Sequence, residues 1–338
     1  MPEILHVSRL LPVGWRGHKT FRRVQVPVIA SRLIHIIRQR DCKAILAVFP
    51  DEAFLLASYI AARVTGCAFY PYLHNTFVEN RFGYAHAFAQ WLQTRVFELA
   101  EHVFVMSEAL VAMYARNYPG LSCSALPHGF CEPLDTVPTQ VPTGTRFAVG
   151  FCGSVNASCQ DAAERAIGTM ARIPDAHFRV YSGLSPKVFF HLGCPHERSE
   201  IRCATRPQLL AGLRECDIVF LPHGFEGSRA QIEYDTIFPT KTIEYLICGR
   251  PILAHTPPGS FLTRFLKQHD CALVVEEKSP SRILAACHRL RTDAAFRAHL
   301  VRNALKAAEQ FRARTVAESL RRHMLGCTRR PDRSHWDV

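Results

Sequence analysis

Apolar positions recur along this chain in two alternating registers. Short apolar runs, as buried strands require, are separated by stretches whose apolar residues return every helical turn. Val28–Gln39 has helical spacing through Leu33, Ile34 and Ile37, and Ala44–Phe49 reads as a strand. After the turn at Pro50–Glu52, Ala53–Val64 is predicted as a helix closed by Gly66, and Ala68–Leu73 as the next strand. Phe88–Ala100 and Leu110–Tyr118 are predicted helices, with His102–Met106 and Ser124–Pro127 as strand segments. The second half repeats the grammar. Strands are predicted at Phe147–Cys152, Phe178–Ser182, Asp217–Pro222, Pro251–Ala254 and Ala272–Val275. Helices are predicted at Asp161–Ala171 and Pro207–Cys216, in a series running to Phe311, and last at Arg314–Met324. His223–Phe238 reads as a loop, and residues 184–205 have no clear period. Leu5–Leu11 reads as a strand before a loop at Gly14–Gly17. Alternating strand and helix imply parallel sheets with right-handed crossovers. A chain of 338 residues suits two such α/β domains.

The most informative stretch is 235–255. Pro239 forbids a helix from running in, Thr240 is predicted to cap a new one, and Gly249 followed by Pro251 ends it. Lys241 and Glu244 then share one face, while Ile243, Leu246 and Ile247 pack inward. Free N–H groups and the positive dipole end at Thr240–Thr242 suit a phosphate, and Glu244 one turn on suits the hydroxyls of a ribose. The loop Gly153–Ser158 after the Phe147–Cys152 strand offers further N–H groups, with Gly153 and Ser154 first in line. His74 falls at the carboxyl end of a strand, where open α/β sheets gather ligands. These features outline a nucleotide site. A capped helix before a strand, with a solvated Lys–Glu pair, is equally a purely structural pattern.

The segment FPTKTIEYLICGRPILAH (238–255) resembles the donor-sugar motif of GT-B glycosyltransferases of the family 4 type. The likeness extends to the strand-end His74-Asn75, to the Pro-His-Gly at 127–129 and to the Asp217–Pro222 strand. It implies two Rossmann-like domains facing across a cleft. Residues 1–127 would be the acceptor domain, 128–145 a linker rich in proline, 146–311 the donor domain, and 312–338 a terminal helix and basic tail that packs back on the first domain. It implies transfer of a sugar from a nucleotide-diphosphate sugar to a glycan or lipid-linked acceptor, with retention, as in cell-envelope polysaccharide synthesis. Glu244 would hold the ribose and His74 would lie beside the transferred sugar. Thr236 stands where the family has a second glutamate. The β-strand loop lacks the family's early Arg and Lys, so Lys241 and Arg229 are expected to neutralise the diphosphate. The N-terminal glycine loop and one βα unit before Leu33 are missing from the pattern, which keeps open a non-catalytic GT-B-like binding protein. An epimerase on the same fold is the lesser rival.

Composition narrows the partners. No Asp-x-Asp, P-loop or Gly-x-Ser-x-Gly is present, and His and Cys lack zinc spacing, so no metal or other cofactor is expected. Thirteen scattered cysteines read as buried thiols in a reducing compartment. No apolar run is long enough to span a membrane and no signal-peptide pattern opens the chain, so a cytoplasmic location is expected. Net charge is +12, concentrated before Arg40 and after Arg312. Such ends are either simply solvated or docked on an anionic inner leaflet; no nucleic-acid motif accompanies them.

Overall fold

The computed structural model describes residues 24–134 and 146–326, and these form two α/β units. One contains the chain up to Leu126 and from Ser319 onward; the other is Pro127–Glu318. The strand expected at Leu5–Leu11, the loop at Gly14–Gly17, residues 135–145 of the expected linker and the tail beyond 326 lie outside the described residues.

The first unit opens with helix α1 (Val26–Arg40), whose buried Val26, Ile29, Ala30, Leu33 and Ile37 follow the helical period. Strand β1 (Ala44–Phe49) and strand β2 (Ala68–Leu73) have the boundaries read from the sequence. Helix α2 (Glu52–Thr65) joins them. Asp51 caps its start by accepting from the N–H groups of Ala53 and Phe54, and Gly66, at φ +70°, ends it in the left-handed region. Helix α3 (Gly83–Leu99), strand β3 (Val103–Val105), helix α4 (Glu108–Asn117) and strand β4 (Cys123–Ala125) complete a parallel sheet in the order β1-β2-β3-β4.

The second unit begins earlier in the chain than the expected linker allowed. The N–H of Phe130 donates to the carbonyl of Phe311 at 3.0 Å, and that of Ala313 to the carbonyl of Phe130 at 2.8 Å. Leu134 joins the core. Residues 127–134 are thus built into the second unit by backbone pairing, not left as a connection. Its elements run β5 (Phe147–Cys152), α5 (Gln160–Met170), β6 (Ala176–Tyr181), α6 (Pro186–His191), β7 (Ser199–Arg202), α7 (Arg206–Arg214) and β8 (Ile218–Pro222). Then follow α8 (Gln231–Thr236), α9 (Lys241–Ile247), β9 (Ile252–His255), α10 (Phe261–Gln268), β10 (Leu273–Val275), α11 (Pro280–Thr292) and α12 (Ala294–Ala308). The aperiodic stretch 184–205 resolves into α6, one 3-10 turn and β7. The stretch 223–238, expected as loop throughout, contains α8.

All six strands are parallel, in the order β10-β9-β8-β5-β6-β7. Both faces are covered, so alternate residues serve two cores. Val219 and Leu221 of β8 face one with Leu246 and Phe238; Ile218 and Phe220 face the other with Phe151 and Ile167. Strand order reverses between β5 and β8. Loops leaving the carboxyl ends of those two strands therefore diverge and leave a crevice.

The last helix, α13 (Ala313–Gly326), ends within the first unit. There Tyr70 donates its hydroxyl to the carbonyl of Met324 at 3.2 Å, and His323 stacks on His102 with ring centroids 4.2 Å apart. No helix among the described residues is long and apolar enough to cross a membrane.

Candidate active site

At the switch point of the second sheet, Lys241 of α9 meets the turn at Gly153 and Ser154. Strand β5 runs out at Cys152, and Gly153 turns the chain at φ +83°, in the left-handed region that favours glycine. Helix α9 brings Lys241 to this turn. Its ammonium donates to the carbonyl of Ser154 at 2.9 Å and lies 4.3 Å from the centre of the Phe151 ring. A Cβ on Gly153 would sit 3.5 Å from Lys241 Cε, so glycine also gives the lysine stem its room. Burial lowers the Lys241 pKa, against the opposing pull of nearby Cys159, Cys152 and Glu244. A partly desolvated cation of this kind gains from an incoming anion.

The start of α9 differs in detail from expectation. Thr240 occupies the cap position, but with helical backbone angles, and its side chain makes no capping bond. The N–H groups of Thr242 and Ile243 donate to the carbonyls of Pro239 and Thr240, which leaves those of Thr240 and Lys241 for a ligand. Thr242 is fully buried and its hydroxyl meets no partner among the described residues. Its predicted contact with a phosphate is therefore not offered by this geometry, since the side chain points away from solvent. Gly249, at φ +73°, ends the helix as expected.

Glu244 lies one turn beyond Lys241 and is ion-paired through Oε1 with Nη1 of Arg206. The same guanidinium takes Glu132 with Nε and Nη2. Burial works against ionisation of Glu132, but the hydrogen bonds from Arg206 and the backbone hold its pKa below the usual range. His128 is lowered by burial, with Glu244 pulling the other way, so the Pro-His-Gly segment shares the electrostatic field of this carboxylate. Sequence reasoning missed Arg206 and Glu132. The Thr205–Gln208 capping box announces the start of α7, but nothing local to it points to Glu244, 38 positions away.

Arg229 and Thr236 serve other partners. Arg229 Nε lies 3.6 Å from Glu233 Oε1, which accepts a 2.9 Å hydrogen bond from Ser158. Tyr234 donates to the carbonyl of Ala157 at 3.0 Å, and the Gly224 N–H to that of Ser158 at 2.8 Å. Helix α8 and the loop before it therefore hold the far end of the 153–158 loop, while Lys241 holds the near end. Arg229 is engaged at the far end, away from the Ser154 turn where the diphosphate charge was expected. Thr236 is buried, and its hydroxyl donates to the carbonyl of Ile232 at 2.6 Å in its own helix. The predicted stand-in for the family's sugar-side glutamate is thus turned onto its own backbone.

His74 belongs to the first unit. It follows the last residue of β2, is half-buried, and lies edge-on to Tyr72 with ring centroids 4.4 Å apart. Tyr72 is fixed by donating to the carbonyl of Leu126. Among the described residues no cluster of three or more His, Cys, Asp and Glu side chains forms a metal cradle.

No protein-family model matches this chain, and no curated protein matches it. Solved structures do. Sucrose-phosphate synthase from Thermosynechococcus elongatus superposes with a TM-score of 0.65 at 15% identity, over 90% of this chain and 79% of that one. Anabaena Alr3699/HepE in complex with UDP and glucose gives 0.65 at 15% identity, over 96% and 84%. The UDP-forming α,α-trehalose-phosphate synthase from Burkholderia xenovorans gives 0.64 at 12%, over 92% and 80%. The fold is GT-B. In GT-B terms, the β5 loop, α9 and the Glu244 pair belong to the second of the two Rossmann-like units, and His74 to the first.

Proposed function

We propose that this protein is a glycosyltransferase of the family 4 type, which moves a sugar from a nucleoside-diphosphate sugar to a glycan or lipid-linked acceptor. The observation that carries this is local. A desolvated lysine is held on the turn after the first strand of the unit, at the reversal of strand order, one helical turn from an oriented carboxylate. Lys241 and the N–H groups of Thr240, Lys241 and Ser154 would take the diphosphate, while the Gly153 N–H is already given to the carbonyl of Tyr181 at 2.9 Å; Glu244 would take the ribose. UDP is the first nucleotide to try, because two of the similar structures name it.

The chemistry follows from charge. The transition state of glycosyl transfer is oxocarbenium-like, and the leaving diphosphate gathers negative charge as the bond breaks. Lys241 and the preorganised N–H groups stabilise that charge without a metal. His74, on the acceptor-side unit, is assigned to the transferred sugar, and retention of configuration is the expected outcome. The location proposed is the cytoplasm, with the basic ends available to an anionic membrane face.

Thermal shift and calorimetry with UDP, GDP, ADP and their sugars test this, on wild type and Glu244→Ala. One nucleotide should stabilise the wild type, and the variant should lose most of the shift. If none binds, the site is structural and the reading fails. A second reading, a non-catalytic nucleotide-sugar-binding protein, rests on Thr236, whose hydroxyl is spent on Ile232 where a carboxylate would face the sugar. Binding of a nucleotide-sugar without turnover on any acceptor extract would favour it.

A further inference from the structure

The Glu132–Arg206–Glu244 arrangement has more order than a pair of surface salt bridges needs. Arg206 presents its fork in two directions: Nε and Nη2 go to the two oxygens of Glu132, and Nη1 goes to Oε1 of Glu244. Each member stands on fixed backbone. Arg206 opens α7 directly after Thr205, whose N–H donates the closing bond of the capping box to Gln208 Oε1 at 3.0 Å. Glu132 follows the Phe130–Phe311 pairing, and Arg312 donates to its carbonyl at 3.3 Å. Side-chain exposures of 41% for Arg206, 25% for Glu132 and 19% for Glu244 mean that these ion pairs add little to stability. What the geometry does supply is direction.

We infer that Arg206 is a positioning residue, set by Glu132, that fixes the Glu244 carboxylate for the ribose of the donor; this rests on the donor-site reading above. With both fork positions on Glu132, the guanidinium plane is set before any ligand arrives. Nη1 then holds Oε1 of Glu244 in place and leaves Oε2 to accept a ribose hydroxyl. A carboxylate already held in one rotamer loses less freedom on binding than a mobile one. Lysine, a point charge, cannot face both carboxylates in this way.

The test is calorimetric titration of UDP and 2′,3′-dideoxy-UDP into the full-length protein and its Arg206→Met, Arg206→Lys and Glu132→Gln variants. Wild type should prefer UDP by about tenfold or more, the worth of a hydrogen bond to a charged group. Arg206→Met and Arg206→Lys should lose that preference through weaker UDP binding, with dideoxy-UDP affinity unchanged. Glu132→Gln should lie between. A merely structural role would shift both ligands together and leave their ratio alone, so an intact preference in Arg206→Met overturns the inference while leaving the donor site standing. If Arg206→Met does not fold, the ratio in Arg206→Lys and Glu132→Gln decides in the same way. Wild type that binds both nucleotides equally, or neither, overturns the ribose assignment of Glu244 itself.

Discussion

A lysine and a glycine set the charge at the turn after β5. With its ammonium on Ser154 and over Phe151, Lys241 should contribute to diphosphate binding and not to the nucleoside. Lys241→Met should weaken UDP about 10- to 100-fold, the range for a hydrogen bond to a charged partner, and leave uridine unchanged. Equal loss for UDP and uridine would show that the lysine only supports the fold. The pH dependence has a definite sign. Burial places the Lys241 pKa below its ordinary 10.5, so the unliganded protein gives up this proton early as pH rises. A bound diphosphate favours the charged lysine, so UDP affinity should fall with rising pH before 10.5 is reached. The same decline should be missing from Lys241→Met. Gly129 is a residue of another kind, needed for space. A Cβ there would lie 2.9 Å from the Cα of Ala313, where Phe130 and Phe311 pair. Gly129→Ala should cost about 1–3 kcal/mol by forcing the two backbones apart. Urea unfolding measures it, and an unchanged midpoint would mean that the segment yields freely.

At the level of elements, α8 acts as a support for the loop that carries Ser154. Tyr234→Phe removes only the hydroxyl bonded to Ala157, and should lower stability by about 0.5–1.5 kcal/mol and loosen UDP binding with it. A loss of stability with UDP affinity intact would separate the support from the site. This helix also marks where sequence reading stopped. Strands β1, β2 and β5 were legible to the residue because an apolar run bounded by turn residues has few alternatives. Six residues of α8, mostly polar, are too few to display a helical period. The site divided in the same way. Lys241 and Glu244 were legible because a short helix puts them on one face. Arg206 and Glu132 were not, because their meeting with Glu244 is made by the topology of three separate segments. Thr236 was misread because a hydroxyl in a helix has its own backbone as a rival partner, Thr242 because it sits on the buried face, and the Thr240 cap because that residue keeps helical backbone angles.

At the scale of the whole chain, the terminal helix α13 leaves the second unit and ends against β2 and β3 of the first. The contact has a titratable centre. His102 is buried between the hydroxyls of Ser122 and Ser124, each 2.7 Å from a ring nitrogen, and is stacked on His323. Two hydroxyls satisfy a neutral imidazole, one by accepting its proton and one by donating. Burial first, and the charge of His323 second, lower the His102 pKa from 6.5 to about 4. Between those values the unfolded chain binds a proton that the folded protein refuses. Stability contributed by this site is therefore complete above pH 6.5 and is lost progressively as pH falls toward 4. The full effect is about 3 kcal/mol at 1.36 kcal/mol per unit. Carboxylates elsewhere also titrate in this window, so the readout is a difference. Urea midpoints of wild type and His102→Gln, followed from pH 7.5 to 4 (roughly the titration range of an imidazole), should converge as the wild type loses what the amide never had. Parallel curves would mean that the imidazole is protonated without cost, and that α13 is held by Tyr70 and the apolar contacts alone.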